Sequence, residues 1–154
     1  MTDQQGGKTK GVVDIVFLID ATGSMTSCID ALKRNIEMFI DRLTATDANN
    51  TCIVQDWRAK VVGYRDFEAD DKPFEDNAFV RDAAVLKSQL DALGPAGGGD
   101  EPESLLDALF KVTTMGSTGK DAPEDANKWR YRSSAARVVI IFTDASYKDR
   151  MVIP

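Results

Sequence analysis

The residues best suited to do chemistry lie in three short stretches. They are Asp20-Ala21-Thr22-Gly23-Ser24, Gly97-Gly98-Gly99-Asp100-Glu101-Pro102-Glu103 and Phe142-Thr143-Asp144. The first is the most informative, because an apolar β-branched run, V-D-I-V-F-L-I, stops on Asp20 and a helical pattern begins almost at once. An acid at the end of a strand, with hydroxyls at i+2 and i+4 in the turn before a helix, can aim three oxygens at one point. Hard divalent cations are held by such oxygen sets. The chain contains no histidine, which removes His-based triads, His general bases and most zinc sites.

The elements around these stretches must bring them together. Ile29, Leu32, Ile36, Phe39, Ile40 and Leu43 recur at three- and four-residue steps and predict an amphipathic helix over 25–43. A polar loop over 44–56 leads to a second strand over 57–67. An acidic, turn-rich stretch, 68–77, precedes a short third strand at 78–80. Ala83, Leu86, Leu90 and Leu93 make a second helix, and the glycine-rich run 94–99 breaks it. Residues 100–103 open a third helix whose apolar face is Leu105, Leu106, Leu109, Phe110 and Val112. A long polar loop, 116–136, leads to the apolar strand 138–142, closed by Thr143-Asp144.

Two of these strands read as apolar on both faces, and each stops on an acid. Such strands belong in a parallel sheet covered by helices on both sides. The expected fold class is therefore α/β, a three-layer Rossmann-like sandwich with a mostly parallel central sheet and helices on both faces. In open α/β sheets the ligand site lies beyond the carboxyl ends of the strands, where Asp20 and Asp144 both fall.

With 154 residues, 43% of them apolar, the chain is expected to form one domain over 12–154, after a disordered leader over 1–11. A net charge of −6 argues against nucleic acid or an anionic membrane as the main partner. No apolar run reaches the roughly 18 residues of a membrane span. Two cysteines, Cys28 and Cys52, give no disulfide framework and fit a reducing, cytoplasmic compartment.

The three stretches, in this order and at this spacing, resemble the von Willebrand factor A (I-domain-like) family with its metal-ion-dependent adhesion site. The resemblance covers about 12–144. Thr22 stands where the family usually has serine, and supplies the same hydroxyl oxygen. The D-x-P-E of Asp100 to Glu103 is similar to the β-subunit I-like domains of integrins. The resemblance implies that Thr22 and Ser24 bind the ion directly and that Glu103 binds it directly or through water. Asp20 and Asp144 would act largely through water. Asp100, with the Pro102 carbonyl and Asp66 as a further candidate, matches a neighbouring second cation position. A third site is not expected, since Thr26 and Ser27 replace the paired acids it requires. The donor set selects Mg²⁺, with Mn²⁺ or Ca²⁺ as substitutes.

The implied function is a metal-dependent protein-interaction module in which a partner's Asp or Glu fills the open coordination position. No residue is positioned as a nucleophile or general base, so a non-enzyme is expected. An adapter for an ATPase or kinase is the alternative within binding. A Mg²⁺-dependent phosphohydrolase using Asp20 is the alternative from another class, weakened because Thr22 replaces the second acid of aspartyl phosphatases.

Plainer readings compete. Thr22 or Ser24 could cap the following helix for about 1 kcal/mol, and Asp100 to Glu103 also reads as a capping box with proline in the first turn. Asp144 could be an ordinary turn residue. Against this, two carboxylates about 5 Å apart repel by about 3 kcal/mol at an effective dielectric of 20. Asp20, Glu103 and Asp144 would make three such pairs, and a divalent ion relieves them. Gly116-Ser117-Thr118-Gly119-Lys120 lacks the spacing, the final hydroxyl and the preceding strand of a phosphate loop. Cys28 reads as a structural cysteine. The family's sheet continues with two more strands after the position of Asp144. The expectation is thus a domain truncated at its C-terminus, with strand 138–142 open to self-association.

Overall fold

The structure is a computed structural model that describes residues 11–68, 70–94 and 104–143. Its strands are β1 (Val12–Asp20), β2 (Asp56–Tyr64), β3 (Phe74–Glu75) and β4 (Ala136–Phe142). Its helices are α1 (Ile29–Thr44), α2 (Ala83–Ala92) and α3 (Leu105–Thr113), with a 3-10 turn at Gly23–Ser27. The sheet order is β3-β2-β1-β4. β1 runs parallel to both β2 and β4, and β3 is antiparallel to β2. This is the expected mostly parallel α/β arrangement with helices on both faces.

The alternation of β1 sorts the core into two layers. Val13, Ile15, Phe17 and Ile19 pack with Ala59 and Val61 under Leu32, Ile36 and Ile40 of α1 and Leu86 and Leu90 of α2. Val16, Leu18, Val62 and Tyr64 pack under Leu105, Ala108 and Val112 of α3, together with Phe79 and Trp129. Each fully buried Leu, Ile or Phe contributes about 1.5–3 kcal/mol, so β1, sandwiched on both faces, is the rigid element that carries Asp20.

Four local expectations are corrected. The first helix does not start at Met25. Met25 N–H bonds to Thr22 O and Cys28 N–H to Met25 O, which closes a 3-10 turn before α1 begins. The second strand stops at Tyr64 rather than at 67, because Arg65 N–H turns to Pro73 O and Asp66 enters a turn with Asp70. The third strand is Phe74–Glu75, and of the expected 78–80 segment only Val80 bridges Ala59. Between them side chains replace a strand: Gln89 Oε1 accepts from Val61 N–H, and Asn77 Nδ2 donates to Val61 O. On α3 the buried stripe runs through Leu105, Ala108 and Val112, which leaves Phe110 37% exposed.

Gly63 of β2 lies against Leu93, the residue that caps α2 at its C-terminus. A Cβ there would lie 2.3 Å from Leu93 Cδ1, so Leu93 would have to move within a packed core. Gly63→Ala is expected to destabilise the protein by about 1–3 kcal/mol, measured by urea denaturation; an unchanged midpoint would show that Leu93 re-packs freely. β4 is an edge of the sheet among the described residues. Val138 and Ile141, on opposite faces, are 37% and 39% exposed. The expected leader lies outside the described residues, apart from Gly11.

Candidate metal centre

Asp20 is the last residue of β1 and is fully buried. It lies beside Tyr64 in register, and Ala21 N–H donates to Tyr64 O at 2.9 Å, which keeps the chain on the sheet through this point. The chain then turns back. Thr22 N–H donates to Asp20 Oδ1 at 2.9 Å, and Thr22 Oγ1 donates to the same oxygen at 2.5 Å. Thr22 Oγ1 lies 3.0 Å from Ser24 Oγ. Thr143, which follows β4, donates from Oγ1 to Asp20 Oδ2 at 3.4 Å. Thr22 is buried and Ser24 exposed, so the cluster has a fixed floor and an open mouth.

The capping reading of this stretch is not what the geometry shows. Thr22 occupies the N-cap position of the 3-10 turn with an extended backbone, yet its side chain makes no cap hydrogen bond. The N-cap of α1 is Cys28, also without one. The Thr22 hydroxyl instead gives its single proton to Asp20, which leaves its lone pairs available as acceptors.

The donor set and its spacing fit a small hard cation. Adjacent ligands of an octahedron at about 2.0–2.1 Å lie about 2.9 Å apart, and the two hydroxyl oxygens are 3.0 Å apart. Among the described residues, no three His, Cys, Asp or Glu side chains form a metal-ligand group. Asp20 and the further candidate Asp66 are the carboxylates of the expected set within the described residues. Asp100, Glu103 and Asp144 lie outside them. Their chain neighbours do not: Thr143 touches Asp20, and Ser104 Oγ accepts from Phe67 N–H at 3.1 Å, just beyond the carboxyl end of β2. Asp66, also buried there, accepts at Oδ1 from Glu68 N–H.

Sequence reasoning missed the hydroxyl of Thr143 as a partner of Asp20, although it stands next to an expected ligand. It also missed a buried ionic network at the opposite end of the sheet. Asp14, treated as part of an apolar strand, is fully buried. Arg58 holds it with Nε on Oδ1 and Nη2 on Oδ2, both at 2.9 Å. Arg130 adds Nε on Oδ1 and its backbone N–H on Oδ2, both at 2.8 Å. Arg58 also donates to the carbonyls of Asp125 and Lys128 and lies over the Phe79 ring at 4.5 Å. Arg130 reaches Asp56, which Arg81 joins to Glu124. The signal was present: Asp14, Arg58 and Lys60 interrupt strands that are otherwise core, and buried charges must be paired. Asp14 and Arg58 are register partners on β1 and β2.

Burial pushes the Asp14 carboxyl up, and the hydrogen bonds and charges of Arg58 and Arg130 more than offset it, holding it below the ordinary carboxylate value. Among the described residues no helix is long and apolar enough to cross a membrane. No curated protein matches the chain. The sequence model of the von Willebrand factor A domain matches residues 14–153, from the strand that carries Asp20 through β4, and the chain belongs to the von Willebrand factor A domain family.

Proposed function

We propose that the protein is a cytoplasmic, metal-dependent protein-interaction module, and that Mg²⁺ at the end of β1 is bridged to an Asp or Glu of its partner. The observation that carries this reading is the Thr22 hydroxyl, bonded to Asp20 and 3.0 Å from Ser24 Oγ rather than capping a helix. In this reading Thr22 and Ser24 bind the ion directly, and Glu103 does so directly or through water. Asp20 and Asp144 act through water, and Asp100 serves a second cation position. Mn²⁺ and Ca²⁺ are substitutes on the same oxygen donors. The ion supplies a local positive charge on an acidic chain, which is what a carboxylate-bearing partner needs. A role as adapter for an ATPase or kinase uses the same contact.

The non-enzyme reading is supported by Asp20 itself. Its Oδ1 already accepts the N–H and the hydroxyl of Thr22, an arrangement that holds a carboxylate in place rather than presenting it as a nucleophile. The test is a calorimetric titration with Mg²⁺ and Mn²⁺, followed by capture of partners with and without chelator. An ion should bind at the end of β1, and Ser24→Ala should abolish metal-dependent capture while leaving a folded protein, because Ser24 is exposed. No heat of binding at millimolar Mg²⁺ would end this proposal.

A further inference from the structure

Arg58, Asp14 and Arg137 are register partners on β2, β1 and β4 and form one row across the sheet. Asp14 cannot serve both neighbours. Its oxygens already accept four hydrogen bonds from Arg58 and Arg130, which fills the roughly four lone-pair positions of a carboxylate. Arg137 is left with the Arg130 carbonyl, to which Nη2 donates at 3.0 Å, and the Trp129 ring, 5.7 Å from its guanidinium carbon. Neither carries a charge. Nε is enclosed and meets no acceptor among the described residues. Nη1 has no acceptor among them either and is not enclosed, so it reaches the surface. The buried arginines Arg58, Arg65 and Arg130 each hold a carboxylate, whereas Arg137, half-buried, holds none among the described residues. Burial pushes its guanidinium below the ordinary value, Asp14 opposes this, and the exposed Arg132 nearby adds to the lowering.

We propose that Arg137, with Arg132 beside it, is a carboxylate-binding site on the outer edge of β4 that takes an Asp or Glu side chain of a partner protein. The network it borders joins Arg58, Arg81, Arg130 and Arg137 to the carboxylates of Asp14, Asp56 and Glu124, so it lacks a single negative charge. A carboxylate supplies that charge. A phosphate dianion would exceed it and meet more repulsion from a chain of net charge −6. The Trp129 ring and the Arg130 carbonyl hold the guanidinium in place, so little freedom is lost when its outer edge accepts a ligand. β4 is the last strand of the sheet on this side among the described residues, which leaves that edge open. The site lies at the opposite end of β4 from Thr143, about 20 Å away at about 3.3 Å per residue, and it requires no metal.

The experiment follows the arginine Nε–H signals of the ¹⁵N-labelled full chain by nuclear magnetic resonance, with chelator present throughout. The probe is a short acetylated and amidated peptide carrying one Glu, compared with its Gln analogue and with inorganic phosphate. The Glu peptide should move the Arg137 and Arg132 signals and leave those of Arg34 and Arg42, which are exposed on α1, nearly unmoved. Arg137→Gln should weaken its binding, read at Arg132, by about 10-fold or more, as expected for a hydrogen bond between charged groups. Arg132→Gln should weaken it by about 2- to 5-fold, as for an exposed pair. An Arg137 signal that ignores the Glu peptide overturns the proposal. So does an equal response to the Gln analogue, an equal response at Arg34 and Arg42, or tighter binding of phosphate. If Arg137→Gln does not fold, Arg132→Gln decides: weaker binding supports the site and unchanged binding overturns it. Because chelator removes any ion, failure of the metal reading changes none of these outcomes.

Discussion

Asp14→Ala should destabilise the protein by about 3–5 kcal/mol, the cost of removing one partner from a buried ionic group. Asp14 accepts four hydrogen bonds from Arg58 and Arg130, and both arginines are buried. Without it, two buried guanidiniums lose the carboxylate they share. Arg130 keeps the carboxylates of Asp56 and Glu124 and the Val13 carbonyl, whereas the carbonyls of Asp125 and Lys128 that hold Arg58 do not neutralise it. Domains of this size are stable by about 5–15 kcal/mol, so the variant should lose a large share of its margin in urea. A loss below about 1 kcal/mol would show that water or rearrangement satisfies the arginines.

The same network sets the direction of acid denaturation. Asp14 is held low as described above. For Asp56 burial also pushes the carboxyl up, and Arg81 and Arg130 more than offset it. Glu124 is lowered by its hydrogen bond to Arg81. A carboxylate whose folded value is depressed contributes stability that is present above its unfolded value of about 4 and lost as pH falls through the folded value. Stability should therefore decline below about pH 4, and the Asp14→Ala protein should show a shallower decline there. Salt should weaken the Asp56–Arg81–Glu124 part, which reaches solvent, more than the Asp14 part, which does not.

What the sequence made legible follows from which residues carry periodic signals. β1 and β4 declared themselves because unbroken β-branched runs fit little else, and their parallel pairing followed from the helices between them. The Asp20-x-Thr-x-Ser turn was legible because the acid, the hydroxyls and the strand end are adjacent in the chain. The Arg58–Asp14–Arg130 network was not. Its members come from β1, β2 and a loop read as merely polar, and no local pattern announces that Trp129 and Arg130 will be buried. β3 was misplaced for a related reason. Ala78-Phe79-Val80 has strand composition, but Asn77 and Gln89 satisfy the backbone of Val61 with side-chain amides, a substitution that strand propensity does not register. The apolar face expected for the third helix includes Phe110, but the buried stripe runs through Leu105, Ala108 and Val112 and leaves Phe110 exposed.

Mg²⁺ at about a hundred times its dissociation constant should raise the melting temperature by about 5–10 °C, and Thr22→Val should remove that shift. Binding to the folded state alone adds about 2.7 kcal/mol at that concentration, and each kcal/mol moves the midpoint by about 2–4 °C in a chain of this size. Valine keeps the branched shape of a side chain that is 2% exposed, and leaves the Thr22 backbone donor on Asp20 in place. In the metal-free protein the variant should lose about 1–3 kcal/mol, because a hydroxyl bonded to a carboxylate is gone. That loss is the same with or without chelator, whereas the loss of the shift appears only when metal is present. The two effects therefore separate in one pair of melting curves per protein. Asp20→Asn should behave in the same way if the carboxylate charge is what draws the ion to the hydroxyls. A Thr22→Val protein that still melts 5–10 °C higher in Mg²⁺ would show that the hydroxyl is no ligand, and the 3.0 Å spacing to Ser24 would then be hydrogen bonding and nothing more.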